Sequence, residues 1–441
     1  MRELRVPGVA IGLMYEGEEH AAGLGVTNLE HPLAVDDQTL FQIGSITKTF
    51  VGTAAMRLVE DGMLDLDAPL RTVLPELRLA DENVAARVTL RHVLTHTGGW
   101  AGDYFEDFGP GDDALARMVA RLETLPQITP LGEVSSYSNS GFYLAGRVIE
   151  AAAGQTLEAA LRELVIVPLG LTMTFFRHWA HEFITHRVAA GHVVPEESDA
   201  PLQVARPYAR SRSGCPTGGI VSTIRDVLRY ARFHLGDGRA ADGTRLLTAE
   251  SMRRMQEPLV RTSYLGTMRA LTWGIYATQG VKRVGHEGAT LGQQALLSLA
   301  PGRGFALAVL TNSNRGAALA GRVRIVALER YLGVRPEKTM APDISIVLLR
   351  DYAGTYRGHG AGPAVEVSVA DDGTVLLRIT ERVGTTDEPA HQRPTARAEV
   401  AAEDALQVTE GWDKGNVVEF LRDSAGAVKW LRYAGRVLER A

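Results

Sequence analysis

The sequence predicts an α+β protein: an antiparallel sheet with flanking helices and an inserted all-helical region, followed by a small all-β unit. Three observations carry that prediction. Strand-like alternation occurs at 9–15 and 20–26 and returns only at 271–278, 281–285, 293–300 and 305–312. Helical periodicity fills the middle of the chain. Beyond about residue 335 the pattern changes to short alternating strands separated by turn residues.

Taken in order, residues 9–15 and 20–26 pair around Glu16-Gly17-Glu18. A helix then runs from about Ser45, where Phe50, Ala54, Ala55, Leu58 and Val59 recur at three- and four-residue spacing and Gly62 supplies a stop. Further helices are predicted at about 112–125, 141–153, 156–165, 224–235 and 248–256, with Thr223 and Asp226 placed as a capping box. Pro301-Gly302-Arg303-Gly304 joins the last two strands of the first unit. A sheet built from both ends of one segment, with helices inserted between, leaves a cleft where the two parts meet.

A linker is expected at Pro336-Glu337-Lys338 and Ala341-Pro342-Asp343, dividing the chain into units of 1–335 and 345–441. In the second unit Val365, Val367 and Val369 alternate before Asp371-Asp372-Gly373, and Val375, Leu377 and Ile379 alternate after it, as in a hairpin. A second hairpin is expected about Ser424-Ala425-Gly426. Roughly a hundred residues of such strands suit a small barrel or sandwich.

Composition narrows the functions. With 441 residues, 45% hydrophobic and 22% charged, the chain can build two cores. A formal net charge of −5 without blocks of like charge gives no footprint for nucleic acid or a membrane surface, which leaves small molecules or peptides as expected partners. Cys215 is the single cysteine, so neither an intrachain disulfide nor a multi-cysteine zinc site is possible. The apolar run 9–14 is too short to span a bilayer and no signal peptide precedes it. The expectation is a cytoplasmic protein, unless an upstream start adds a leader; a homo-oligomer is allowed.

Three short motifs carry chemistry. In Ser45-Ile46-Thr47-Lys48 a lysine stands where a capped helix prefers Glu or Gln, and a cation there opposes the macrodipole by about 0.3–1 kcal/mol when exposed. Residues three apart are neighbours on a helix, so the amine can stabilise the serine alkoxide or take its proton. Taken alone, those four residues describe a capped helix with a solvated lysine more readily than a reaction centre.

In Tyr137-Ser138-Asn139, alternate residues of an extended segment face one side, and a tyrosine beside an ammonium can serve as base and acid. Asn139 can donate to a substrate carbonyl; it can equally cap the following helix. In Gly285-His286-Glu287-Gly288-Ala289, glycines allow close approach to backbone, an extended edge can pair with a substrate amide, and the N–H of Ala289 can join that of Ser45 as an oxyanion hole. Metal signals are weak. His181, Glu182 and His186 have the wrong spacing for a zinc helix, and His92 and His96 lack a third ligand.

Together, S-x-x-K at Ser45–Lys48, Y-x-N at Tyr137–Asn139 and H-x-G at His286–Gly288 resemble the three motifs of the serine β-lactamase and penicillin-binding-protein superfamily, in its class C-like branch (peptidase family S12 type). The segments 89–99, 218–223 and 273–275 are similar to that branch too. The resemblance implies a β-lactamase/transpeptidase-like fold, with Ser45 as acylated nucleophile, Lys48 and Tyr137 exchanging its proton, and Asn139, His286 and Gly288 binding substrate. It implies no cofactor and no metal. His286 replaces the lysine of K-T-G, which points to esterases, D-aminopeptidases and acyltransferases more than to efficient β-lactam hydrolysis. The β unit is similar to the lipocalin-like barrel of some of these peptidases and of peptide-cyclising thioesterases; its Arg432 and Arg436 are candidates for carboxylate binding, with surface solvation as the plainer explanation.

The expected function is therefore a serine hydrolase acting on an ester or a D-configured amide through an acyl-enzyme, with weak β-lactamase activity possible. The alternatives are acyl transfer to an amine or alcohol, including peptide cyclisation, and a non-catalytic peptide or penicillin sensor.

Overall fold

The structure is a computed structural model that describes all residues except 195–199, 210, 264–265, 336–345, 360–361, 382–390 and 412–413. The expected linker at 336–343 lies outside the described residues.

Both ends of the first unit meet in one eight-stranded antiparallel sheet. Its order is Glu18–Gly25, Gly8–Tyr15, Phe305–Thr311, Gln293–Ala300, Val281–Thr290, Gly274–Thr278, Met268–Arg269 and Val260–Arg261. The register places Leu13 opposite Leu307 and Leu297 opposite Ala308, so residues more than 280 positions apart share one core layer. Because side chains alternate across a strand, the sheet has two apolar faces. One face, with Val9, Leu296, Leu307 and Val309, packs on the helix Gly316–Leu332; the other, with Ala10, Leu297, Ala308 and Leu310, joins the core of the helical region.

The helices follow the apolar periodicity closely. Asn139–Ala153 ends at Gly154 in the left-handed conformation. Ile224–Leu235 starts at the predicted cap Thr223, whose side chain accepts from Asp226 N. The box is not reciprocal as expected: the Asp226 carboxylate instead accepts from Met173 N at 2.7 Å and Thr174 Oγ1 at 3.0 Å, tying two segments together. The pattern at 156–165 is a short helix, Leu157–Leu161, running into a π-turn, Arg162–Ile166.

Among the described residues from Gly354 on, nine antiparallel strands form one sheet, eight of which close into a barrel where Ala364–Val369 pairs with both Gly354–Arg357 and Val375–Glu381. The first predicted hairpin has the expected pairs Val365 with Ile379, Val367 with Leu377 and Val369 with Val375. The second pairs Val417–Arg422 with Val428–Tyr433, around Gly426 at φ +83°. Tyr352 and Phe420 stack in the barrel interior with ring centroids 4.1 Å apart, and Tyr356 Oη donates to Tyr352 O. Among the described residues no helix is long and apolar enough to cross a membrane.

Phe420→Ala removes the centre of that aromatic cluster and should destabilise the barrel by about 3–5 kcal/mol. Denaturant unfolding followed by Trp430 fluorescence tests this; a loss below about 1 kcal/mol would show that the stack does not hold the barrel together.

Candidate active site

Ser45 lies one residue before the helix cap, Ile46. It occupies the 3₁₀ turn Gly44–Ile46, the α-helix proper is Thr47–Glu60, and the serine side chain makes no capping hydrogen bond. Lys48 follows in the first helical turn and is fully buried. Its ammonium donates to Ser45 Oγ at 3.2 Å, Asn139 Oδ1 at 2.8 Å and Thr217 O at 3.0 Å. Three acceptors satisfy the three N–H groups of a charged lysine, which offsets both burial and the adverse dipole.

Tyr137 and Asn139 arrive on the segment that precedes the next long helix. Ser138 is the cap, accepting from Gly141 N at 2.9 Å, so Asn139 is the first helical residue and its side chain is free to reach Lys48. The Tyr137 ring lies over Lys48 Nζ, 5.0 Å from centroid to nitrogen. The ring also stacks on His96, with centroids 4.5 Å apart. His96 itself sits at φ +59°, and its Nδ1 accepts from Ser138 N at 3.0 Å. That bond requires Nδ1 to be unprotonated and fixes the imidazole as a prop for the tyrosine.

His286 stands within one continuous strand, Val281–Thr290, not in a turn between strands. Neighbouring Gly274–Thr278 pairs only as far as Gly285, so from His286 onward that edge faces the Ser45 turn. The approach is very close: a Cβ on Gly288 would lie 2.0 Å from Ile43 O and 3.1 Å from Ser45 N, and one on Gly44, at φ +51°, 2.6 Å from Ala289 N. Glycine at 288 and 44 is thus what brings the edge N–H of Ala289 beside the serine turn.

The electrostatics follow from burial. Burial, more than any other effect, lowers the Lys48 pKa, opposed by Tyr137 and Asp103. For Tyr137 burial raises the pKa, but the Lys48 charge, hydrogen bonding to Lys48 and Ser45, and the Arg436 guanidinium outweigh it, leaving the phenol below its ordinary value. Burial, with Arg269 and Lys48, pushes His286 down to about 3. His286 is therefore neutral near pH 7. Its Nδ1 lies 2.6 Å from Glu287 O, a group that only accepts, so Nδ1 carries the proton and Nε2 is a bare acceptor; Nε2 has no protein partner among the described residues. His192 has the same arrangement, but there Leu29 N fills the second site.

Two groups at this site were not singled out by the sequence reading. Asp103 accepts from Asn139 Nδ2 at 2.7 Å, and Thr217 supplies the third acceptor for Lys48. Thr217 immediately precedes Gly218-Gly219, one of the segments similar to the class C-like branch, and that adjacency was the available signal for it. The two candidate arginines separate. Arg432 is not a solvated surface cation: it is buried, bonded to Glu419 at 2.8 Å and Ser135 O at 3.3 Å. Arg436 reaches the centre from the barrel, with Nε 2.7 Å from Asp103 and the guanidinium 5.0 Å from the Tyr137 centroid.

Elsewhere, Glu158, His178 and Cys215 bring possible ligand atoms within 4.8 Å of one another. Glu158 is already held by Arg212 at 3.1 Å, with His178 Nε2 2.8 Å away, so the carboxylate is accounted for by an ion pair. His181 and Glu182 lie on a single 3₁₀ turn in which Glu182 pairs with Arg162.

A profile of the beta-lactamase family matches residues 1–331. The chain belongs to the beta-lactamase family. Its wider group is the serine β-lactamase and penicillin-binding-protein superfamily of serine hydrolases. "Penicillin-binding protein 4" of Amycolatopsis lactamdurans is 36% identical over 372 residues, covering 82% of this chain and 96% of the relative. "Esterase EstB" of Burkholderia gladioli is 36% identical over 189 residues, 39% of this chain and 47% of the relative. Among solved structures SurE, also crystallised with D-Leu, superposes with a TM-score of 0.78 at 26% identity, covering 100% of this chain and 96% of SurE. The likeness to SurE thus extends through the barrel.

Gly288→Ala should force the strand edge off the serine turn. We expect at least a tenfold slower reaction of the protein with acylating probes and a stability loss of about 1–3 kcal/mol. Unchanged reactivity in a stopped-flow assay would show that this close approach is not needed.

Proposed function

We propose that the protein hydrolyses an ester or a D-configured amide through an acyl-enzyme on Ser45. The observation that carries this reading is the buried Lys48 ammonium held against Ser45 Oγ with Tyr137 stacked over it. Ser45 Oγ attacks the substrate carbonyl carbon while its proton passes to the Tyr137–Lys48 pair. The N–H groups of Ser45 and Ala289 receive the oxyanion. The C–O or C–N bond then breaks, the pair returns the proton to the departing alcohol or amine, and water repeats the sequence in reverse to free Ser45.

Asn139, His286 and Gly288 line the substrate side. A bare His286 Nε2 favours a substrate that presents an N–H or O–H there, and disfavours a carboxylate at the position where K-T-G enzymes hold one. Arg436 is the group placed to meet a carboxylate; Arg432 is spent on Glu419. In this reading unit 1–335 supplies the chemistry and unit 345–441 borders the cleft. The D configuration is supported by the D-Leu complex of SurE. The same acceptor at His286 suits an incoming amine as well as water, which favours acyl transfer as the second reading; product analysis with and without added amine separates the two.

Intact-protein mass spectrometry after treatment with a fluorophosphonate, and separately with a penicillin, tests the nucleophile. One adduct is expected on the wild type and none on Ser45→Ala; an adduct on that variant would overturn the assignment. Tyr137→Phe should fold normally and lose turnover by about 10²–10⁴-fold. The pH–rate profile of fluorophosphonate labelling should show no histidine limb between about pH 5 and 8, because the His286 pKa lies far below that range. A limb there that vanishes in His286→Gln would contradict the neutral ring.

A further inference from the structure

We infer that Asp103 is a positioning residue that ties the barrel to the acylation centre, a role that rests on the serine-hydrolase reading above. Its two oxygens are divided: Oδ1 accepts from Asn139 Nδ2 at 2.7 Å and Oδ2 accepts from Arg436 Nε at 2.7 Å. Asn139 in turn accepts from Lys48 Nζ at 2.8 Å through Oδ1. An ammonium only donates and a carboxylate only accepts, so this chain permits one orientation of the carboxamide. Asp103 and Lys48 fix that orientation from opposite ends.

The barrel holds the other end of the strap. The turn before Arg436 contains Ala434 and Gly435, both at positive φ, and Gly435 O accepts from Tyr137 N at 2.8 Å. Arg436 Nη1 donates to Ala434 O, and Val437 N donates to Ser136 Oγ at 3.0 Å, so the guanidinium is fixed against the tyrosine segment. Arg436 and Asp103 are 333 residues apart in the chain yet share a partly buried ion pair. A ligand carboxylate arriving at Arg436 would thus be sensed at Asn139 and Lys48 through a single side chain.

The charge of Asp103 has a separate effect. The groups facing Tyr137 and Lys48 are Arg436 and Asp103 from the barrel contact, His96 from beneath the tyrosine ring, and His286 with Arg269 behind it from the sheet. Asp103 is the one carboxylate among them, and it raises the Lys48 pKa. Removing its charge should therefore lower the pKa of the Lys48 amine, whose ammonium is held against Ser45 Oγ.

The test uses the full chain with Asp103→Asn, Asp103→Ala, Arg436→Ala and the double variant Asp103→Ala/Arg436→Ala, reading fluorophosphonate labelling of Ser45 against pH. Asp103→Asn, which keeps shape and an acceptor, should move the acid limb to lower pH. Asp103→Ala should slow labelling by about tenfold or more. The double variant should lose less than the product of the two single losses, because both changes break one strap. Multiplicative losses in the double variant, or an unmoved limb in Asp103→Asn, would overturn the inference while leaving the serine reading intact. A wild type that is not labelled at Ser45 would overturn both.

Discussion

The buried ammonium of Lys48 is the constraint on which the rest of the site depends. A charge in an apolar interior costs several kcal/mol unless it is paired and hydrogen-bonded. Here the nearest compensation is assembled from four parts of the chain: the serine turn, the Asn139 helix, the Thr217 carbonyl and the face of Tyr137. None of these suffices alone. The fold must therefore bring together the serine turn, the segment Tyr137–Asn139 and the turn at Thr217 before the lysine can be buried as a cation.

The same constraint accounts for the histidines. Burial, with Arg269 and Lys48 nearby, holds both His96 and His286 neutral. They are nevertheless not equivalent. Ser138 N makes His96 Nδ1 an acceptor, while Glu287 O makes His286 Nδ1 a donor, so two identical residues about one tyrosine carry opposite tautomers. Backbone geometry, not the imidazole, decides which ring nitrogen carries the proton in each.

Much of this was legible in the sequence because it is local or periodic. Strand alternation gave the Val365/Ile379 hairpin its register, and the three-residue spacing of Ser45 and Lys48 survives although Ser45 proved to lie in a 3₁₀ turn. Some features depend on which neighbour claims a side chain. Asp226 was expected to close its own capping box and instead binds Met173 and Thr174 across the helical region. Arg432 and Arg436 are four residues apart and chemically alike, yet one is consumed by Glu419 inside the barrel and the other reaches Asp103. No local pattern marks Asp103 at all, since its significance comes from contacts 36 and 333 residues away.

That last separation bears on how the protein is made. His286, the last of the three motif residues, leaves the ribosome 150 residues before Arg436. At usual elongation rates that interval lasts on the order of ten seconds. During it the nascent chain already holds Ser45, Lys48, Tyr137 and His286, while the carboxylate of Asp103 has no guanidinium to meet. The barrel thus follows the three motifs in time as well as in sequence, and the chain from Asn139 through Asp103 to Arg436 is complete only when that hairpin has folded against it.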